Sequence, residues 1–301
     1  MCPREQWYRH RRCASVPAPQ DVAAGVASRS VFTPPPASAP VSARVRLHDH
    51  ASALIGRPWP FIGFAAALTT AGLALDAVSG YGGQLALSVV TWAVLVAVCV
   101  PLTGLERAQV AVVIAVATVA EVIGSILWGV YAYRLGNLPV FVPAGHGLVY
   151  LVGLRFAQTT LARVHPRRVV AVAAGMAGAW ALIGFTGILG RYDVAGAVGT
   201  AVLIVFLIVG RAPCLYAGVF FFVAFLEIWG TAVGTWRWAE HVPGLGVMNG
   251  NPPSGAAAGY VLFDIAALAL APLLVRGWRR LASGPRDRDA GPAQVVTEVR
   301  G

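Results

Sequence analysis

The sequence has no lysine and little charge of either sign. Only 12% of its 301 residues are Asp, Glu, Lys or Arg, against 57% hydrophobic residues, and the mean hydropathy is +0.68. A soluble domain of this length needs a larger charged fraction to cover its surface. The composition therefore indicates a polytopic membrane protein, and the Ala, Val, Gly and Arg content is typical of a GC-rich bacterial genome.

Other absences narrow the class of function. The four cysteines show no metal-type spacing, so free thiols are the default. The chain has no glycine-rich phosphate loop with lysine, no H-E-x-x-H and no nucleophile elbow. A zinc site built from His146, Glu121 and Asp264 has no ligand spacing to support it. We therefore expect neither a metal nor a cofactor.

Eight apolar stretches are candidates for membrane spans. They lie at 58–78, 84–104, 108–133, 138–158, 168–190, 193–210, 213–238 and 254–276. The sixth is short, and Pro143 and Gly145 interrupt the fourth. The predicted fold class is an all-α membrane helix bundle of about eight helices. We expect this transmembrane domain at 56–281, between disordered tails at 1–55 and 282–301.

The distribution of arginine predicts the orientation in the membrane. An even number of spans places both termini on one side, where arginines crowd the two tails and the loop between spans four and five. The loops on the other side hold only Arg134, Arg191 and Arg237. By the positive-inside rule, both termini are cytoplasmic and the chain lies in the cell membrane. This pattern, and not a nucleic-acid-binding face, accounts for the pI near 10.2.

One motif occurs twice in the chain. The first copy reads EVIGSILWGVYAY at 121–133, and the second reads EIWGTAVGTWRW at 227–238. Each has a glutamate, a glycine and then a hydroxyl residue at i+3 and i+4, and an ending of Gly-x-aromatic-x-aromatic, with one residue of slippage. The copies divide the spans into two four-helix repeats, about 58–158 and 168–276. Because four is even, the repeats have the same orientation.

Ionisable side chains fall inside the predicted spans. At 1.5 Å per residue, Glu121 and Glu227 lie about 20 Å from the cytoplasmic ends of their spans, just past the midplane of a ~30 Å core. Asp264 lies about 15 Å, and His146 about 5–12 Å, from the outer side. An isolated carboxylate there is costly, so these groups face a shared polar cavity or are neutral. We take Glu121, Glu227, Asp264 and His146 as the catalytic candidates.

Each catalytic candidate also has a structural interpretation. The two glutamic acids can be protonated hydrogen-bond partners at the seam between the repeats. Asp264 can cap or pair with a neighbouring span, for example through Arg155. His146 follows Pro-Ala-Gly and is as readily a loop histidine as a catalytic one.

Aromatic side chains near the acids are candidates for substrate binding. Those that can present a π face to a cation are Trp128, Tyr150, Trp229 and Tyr260. The four aromatic residues at the ends of the two motif copies fit an outer aromatic belt instead; they are Tyr131, Tyr133, Trp236 and Trp238.

The loop at 241–255, HVPGLGVMNGNPPSG, contains more turn-forming residues than a plain connection needs. It predicts a lid or re-entrant segment over the cavity, or equally a structural turn. Asn249 and Asn251 in this loop complete the candidate substrate-binding set.

A run of about forty residues carries a family resemblance. Its features are Glu121-x-x-Gly124, Gly129-x-Tyr131-x-Tyr133, Leu135-Gly136 and Val140-x-Val142-Pro143. This pattern resembles the integral-membrane carotenoid biosynthesis family that includes bisanhydrobacterioruberin hydratase. The resemblance implies hydration or isomerisation of a C=C bond in a long isoprenoid within the membrane, without a redox cofactor.

Functions from three classes fit these residues. The first is a membrane enzyme in which Glu121, Glu227 and Asp264 exchange protons with an isoprenoid or carotenoid-type lipid, while aromatic rings stabilise the cation. The second is a proton-coupled carrier, because tandem repeats with carboxylates near the midplane also describe such proteins. The third is a structural envelope protein. The expected partners are the lipid bilayer and a hydrophobic lipid; the oligomeric state is not indicated.

Overall fold

A computed structural model describes residues 43–282 of the chain, and their backbone is mostly helical. A π-helix at Val122–Trp128 directly follows the α-helix at Gly104–Glu121. The other elements, in chain order, are α1 (Ala43–Ile55), α2 (Pro58–Val78), α3 (Tyr81–Cys99), α4 (Gly104–Glu121), β1 (Tyr131–Tyr133), α5 (Phe141–Phe156), α6 (Thr160–Val164), α7 (Pro166–Gly184), α8 (Val194–Val209), α9 (Pro213–Val233), β2 (Trp236–Trp238) and α10 (Ala256–Ala282).

Six helices in the described part of the chain are long and apolar enough to cross a membrane. They are Pro58–Val78, Tyr81–Cys99, Gly104–Trp128, Pro166–Gly184, Pro213–Val233 and Ala256–Ala282. The remaining two apolar helices, α5 and α8, have 16 residues each and coincide with the interrupted fourth and short sixth stretches of the sequence analysis. The predicted membrane-helix class is therefore confirmed for six helices.

Several predicted boundaries differ from the structure. The third and seventh predicted spans are too long by five residues, because Gly129 and Gly234 adopt positive φ and end their helices. Residues 43–55 form α1 although a disordered tail was predicted there; Ala51 and Ile55 are buried, and α1 packs on α2 and α3. The rest of the two predicted tails, at 1–42 and 283–301, lies outside the described residues.

Four helices, α4, α5, α9 and α10, form a closed ring at the centre of the bundle. Helix α5 is buried over most of its length, and α9 packs closely on it. Glycine permits this approach: a Cβ on Gly153 of α5 would lie 2.4 Å from the Val219 side chain, and one on Gly218 of α9 would lie 2.7 Å from Phe156. Small residues at such contacts are typical of helix packing in membranes.

The helices outside the ring expose apolar side chains. On α3, Leu85, Val89 and Val96 are each at least 60% exposed, and α7 and α8 show similar residues. So much exposed apolar surface would be unfavourable in water and suits contact with lipid.

Three of the contacts that α3, α4 and α5 make have counterparts in contacts of α8, α9 and α10, whereas the contacts of α2 differ from those of α7. The contact of α4 with α10 corresponds to that of α9 with α5, and the contact of α4 with α5 corresponds to that of α9 with α10. Likewise, the contact of α3 with α5 corresponds to that of α8 with α10. The strands β1 and β2 pair antiparallel across the two halves, with Ala132 opposite Arg237. This two-stranded sheet was not predicted by the all-α assignment. We call the end of the bundle that carries it the strand end.

The loop at 241–255 is held at the strand end by a buried carboxylate. Asp193, the N-cap of α8, accepts hydrogen bonds from the backbone N–H groups of Gly196 (3.0 Å), Gly250 (2.8 Å) and Ser254 (2.7 Å). Within the loop, His241 and Met248 form an antiparallel bridge. Asp193 therefore fixes the start of α8 and the entry to α10 together.

We predict that Asp193→Ala destabilises the protein by about 3 kcal/mol or more, because three buried N–H groups lose their acceptor. Thr103→Ala removes an exposed N-cap at the start of α4 and should cost only about 1 kcal/mol. Thermal unfolding in detergent measures both variants. Equal shifts of the unfolding temperature would contradict the role given to Asp193.

Candidate active site

Both copies of the repeated motif fold into the same local structure. In each, a helix ends at a left-handed glycine, Gly129 or Gly234, whose N–H bonds to the carbonyl of the motif's earlier glycine, Gly124 or Gly230. The first copy is one residue longer. The π-helix at Val122–Trp128 absorbs that residue, because a π turn contains one residue more than an α turn.

Glu121 is held by three side-chain groups. Its Oε2 accepts hydrogen bonds from the hydroxyls of Tyr131 and Tyr133, both at 2.8 Å. Its Oε1 lies 2.9 Å from Nε2 of His146 on α5. Tyr131 and Tyr133 are two apart on strand β1, so their side chains project from the same face toward the carboxyl group. The carboxyl group is buried, yet both of its oxygens are paired.

Glu227 is held in the matching way by the second strand. Its Oε2 accepts hydrogen bonds from the indole N–H groups of Trp236 and Trp238, both at 3.0 Å. No hydrogen bond to Oε1 of Glu227 is found among the residues that the structure describes. The two glutamates therefore differ in their surroundings, because only Glu121 is bonded to an imidazole, which can also accept a proton.

The small residues of the motif make room for these aromatic rings. A Cβ on Gly124 would lie 3.0 Å from the Tyr131 ring, and one on Gly230 would lie 2.0 Å from the Trp236 ring. The hydroxyls of Ser125 and Thr231 bond back to the carbonyls of their own glutamates at 2.7 Å. The Glu-x-x-Gly-Ser/Thr spacing thus leaves room for an aromatic side chain that donates a hydrogen bond to each glutamate.

Glu121, Glu227, His146 and Tyr260 line one cavity of about 240 Å³. The strand pair closes it at the strand end, and apolar side chains of α2, α3, α5, α9 and α10 form most of its wall. The aromatic ring of Tyr260 lies 4.8 Å from the His146 ring, centroid to centroid. Two carboxyl groups, an imidazole and several aromatic rings therefore share one largely apolar chamber.

Electrostatics couple the two halves of this chamber. Glu121 and Glu227 lie close enough to interact electrostatically. Strand β1 lies beyond the end of its membrane helix, and there burial, followed by the charge of Glu121, raises the pKa of Tyr131 above its ordinary value. Tyr131 therefore stays protonated and serves Glu121 as a hydrogen-bond donor.

The other predicted site residues do not line the cavity. Trp128 donates to the Pro243 carbonyl at 2.9 Å, and Trp229 donates to the Thr70 carbonyl at 3.1 Å. Asp264 and Tyr150 are buried on α10 and α5, one helical turn farther from the strand end than Tyr260 and His146. The proposed pairing of Asp264 with Arg155 is wrong, because Arg155 pairs with Glu106 at 2.9 Å.

The loop asparagines likewise have structural partners. The side-chain amide of Asn249 donates to the Ala239 carbonyl at 3.2 Å. The side-chain oxygen of Asn251 accepts from the backbone N–H of Trp238 at 2.9 Å. No residue of 241–255 lines the cavity. The structural turn, and not the lid, is the interpretation that the structure favours.

Four residues at the centre of the site were assigned wrongly from sequence. Tyr131, Tyr133, Trp236 and Trp238 were expected in an outer aromatic belt, but they face inward and bond to the glutamates. The signal that could have placed them is the alternation of aromatic residues after a helix-ending glycine, which is typical of a strand with one buried face.

Among the described residues, no group of three or more His, Cys, Asp or Glu side chains could hold a metal ion. Comparison with protein-family models, curated proteins and solved structures finds no match. The geometry of the cavity is therefore the structural basis for assigning a function.

We predict that Gly230→Ala destabilises the protein by about 2–3 kcal/mol, because its Cβ overlaps a Trp236 ring that Glu227 and the strand hold in place. Gly124→Ala should cost less, because its contact with Tyr131 is 1 Å longer. Thermal unfolding in detergent measures both, with Gly175→Ala, in open space on α7, as the control. A shift for Gly230→Ala no larger than that of the control would contradict this packing.

Proposed function

We propose that the protein is a membrane-embedded enzyme that hydrates or isomerises a C=C bond of an isoprenoid or carotenoid-type lipid by acid–base chemistry. The observation that carries the proposal is the Glu121–His146 contact of 2.9 Å inside a largely apolar cavity. Groups that exchange protons readily are costly to bury, and enzymes place them together where a proton must move. The resemblance of residues 121–158 to a carotenoid biosynthesis family points the same way.

The two glutamates suit different steps. Glu121 is bonded to His146 and to two phenols, all of which can carry a proton, so it is the proposed acid and base. Glu227 is bonded to two indole N–H groups, which only donate, so it is the proposed fixed carboxylate that stabilises a neighbouring cation. The rings of Tyr260 and Trp238 add π faces to the same wall.

In the proposed hydration, the Glu121 carboxyl group donates its proton to one carbon of the C=C bond. The π electrons form the new C–H bond, and the positive charge is delocalised along the conjugated chain. Water adds to the cation and loses one proton, and Glu121 takes up one proton, so no net proton is consumed. In the isomerisation, the Glu121 carboxylate takes a proton from a neighbouring carbon of the cation instead, and the C–H electrons form the shifted double bond.

The shape of the bundle suits a lipid that enters from the side. The cavity extends to Leu68 and Thr69 of α2 and to Leu87 and Thr91 of α3. Helices α2 and α3 touch each other at few positions, whereas the corresponding pair α7 and α8 packs closely. We propose that an apolar chain reaches the glutamates between α2 and α3.

We also propose the finer topology that the sequence predicts. All eight apolar helices cross the cell membrane, as two four-helix repeats about an axis along the membrane normal, with both termini cytoplasmic. The corresponding helix contacts in the two halves support this topology. The β1–β2 pair supports it as well, because a local two-fold axis between the opposed residues relates the two antiparallel strands. Helices of 16 residues span only about 24 Å, so α5 and α8 cross with the help of their flanking segments.

We predict that Glu121→Gln abolishes the proton transfer and lowers product formation by about 100-fold or more. Glu227→Gln keeps an oxygen acceptor but loses the charge, and it should lower product formation as well. The measurement is the lipid and pigment profile of membranes from cells expressing each variant at matched protein levels.

The matched control is Asp76→Asn, a buried carboxyl group outside the cavity that accepts from Gln84. It should leave the profile as in the wild type. An unchanged profile in both glutamate variants would contradict the enzyme proposal, and the carrier and the structural protein both predict that result.

A further inference from the structure

A second group of buried polar side chains lies next to the cavity, on the side away from the strands. Tyr150 follows His146 by one turn of α5, and Asp264 follows Tyr260 by one turn of α10. Both helices begin at the strand end and run in the same direction. Because the His146 and Tyr260 rings are in contact, the next turn brings Tyr150 and Asp264 to a common level, where they interact electrostatically.

The polar atoms of this group lack partners among the described residues. The Tyr150 hydroxyl, Oδ2 of Asp264, Nδ1 of His146 and Nε of Arg155 are all buried without a hydrogen bond. Tyr150 is 0% exposed and Asp264 is 2% exposed. Buried polar groups in native proteins are almost always satisfied, and internal water molecules with two to four polar partners are the usual means.

The group continues to the bundle surface opposite the strands. Arg155 pairs there with Glu106 at 2.9 Å, and Glu106, in the first turn of α4, is only partly buried and also caps that helix through Thr103. Tyr150 lies within electrostatic range of Glu106, of Arg155 and of Tyr216 on α9. Titratable groups thus follow one another from Glu106 and Arg155, through Tyr150 and Asp264, to His146 and Glu121.

We propose that these side chains hold a column of water molecules that conducts protons between the surface at Glu106 and the Glu121–His146 pair. In the proposed enzyme, on which this use of the column rests, the proton that Glu121 gives to the substrate is replaced by one from bulk water. The proton that the added water loses is released to bulk water along the same hydrogen bonds, so no net proton is consumed. Tyr150 and Asp264 are relay and positioning residues. They do not touch the substrate, because neither lines the cavity.

The column is tested first by a measurement that needs no enzyme activity. Hydroxyl radicals generated by X-ray pulses label side chains that lie beside bound water. We expect Tyr150 in the full-length protein to be modified about 10-fold faster than Phe220, although both are buried, because only Tyr150 has unpartnered polar neighbours. Asp264→Leu should reduce the labelling of Tyr150 to the rate of Phe220. Asp264→Asn should retain it, because an amide also binds water.

Proton conduction is tested with the same conservative variant. Asp264→Asn keeps the water but removes the titratable group, so product formation should fall about 10-fold, with a larger solvent deuterium isotope effect than in the wild type. Tyr150→Phe should behave in the same way, and a folded but merely repacked protein would show no change in the isotope effect.

The outcomes separate this inference from the proposed function. Labelling of Tyr150 at the rate of Phe220 would overturn the water column even if Glu121→Gln changes the lipid profile. Rapid labelling of Tyr150 that depends on Asp264 would support the column even if neither glutamate variant changes the profile. A wild-type isotope effect in Asp264→Asn would overturn the relay role.

Discussion

Two carboxyl groups in the interior of an apolar bundle impose the constraint on which the rest of the structure depends. A buried carboxylate without donors is very costly, so each glutamate must be supplied with hydrogen bonds from inside the protein. The chain supplies them from a strand that follows each helix: two phenols for Glu121 and two indoles for Glu227. These hydrogen bonds depend on the strand pair, on the glycines that end the two helices and on the small residues beneath the aromatic rings.

The two halves satisfy the same constraint with different chemistry. The imidazole of His146 beside Glu121 can pass a proton on, whereas the indoles beside Glu227 can only donate a hydrogen bond. The two motif copies therefore present one carboxyl group bonded to a group that can exchange protons and one bonded only to hydrogen-bond donors. The buried polar column below His146 belongs to this first side, which is where a proton supply would be of use. The two halves also differ in a third way: α2 and α3 pack more loosely than α7 and α8, which leaves room for a lipid to enter between α2 and α3.

Much of the framework followed from the sequence, because hydropathy and helical rise are local properties. They indicated the membrane class and put Glu121, Glu227 and His146 in one layer, and the structure brings these three residues to one cavity. They also put Asp264 in that layer, but which face of α10 it occupies depends on packing, and it lies outside the cavity wall. The inward-facing aromatic residues were missed because two three-residue strands pair only with each other, across about a hundred residues of sequence. The first motif copy is one residue longer than the second, and only the π-helix in the structure explains this difference in length.

The most direct test is whether β1 pairs with β2. This pairing holds the two tyrosines of β1 next to Glu121 and the two tryptophans of β2 next to Glu227. Ala132→Cys and Arg237→Cys, combined in a cysteine-free background, place thiols on directly opposed residues of an antiparallel pair, within the range that a disulfide needs. We predict that mild oxidation of the protein in its membrane links the two halves by a disulfide, which is detected after proteolytic cleavage between them. The pair Ala132→Cys and Gly175→Cys should remain unlinked. Failure of the opposed cysteines to link, in a protein that is folded and whose thiols react with a small reagent, would contradict this pairing.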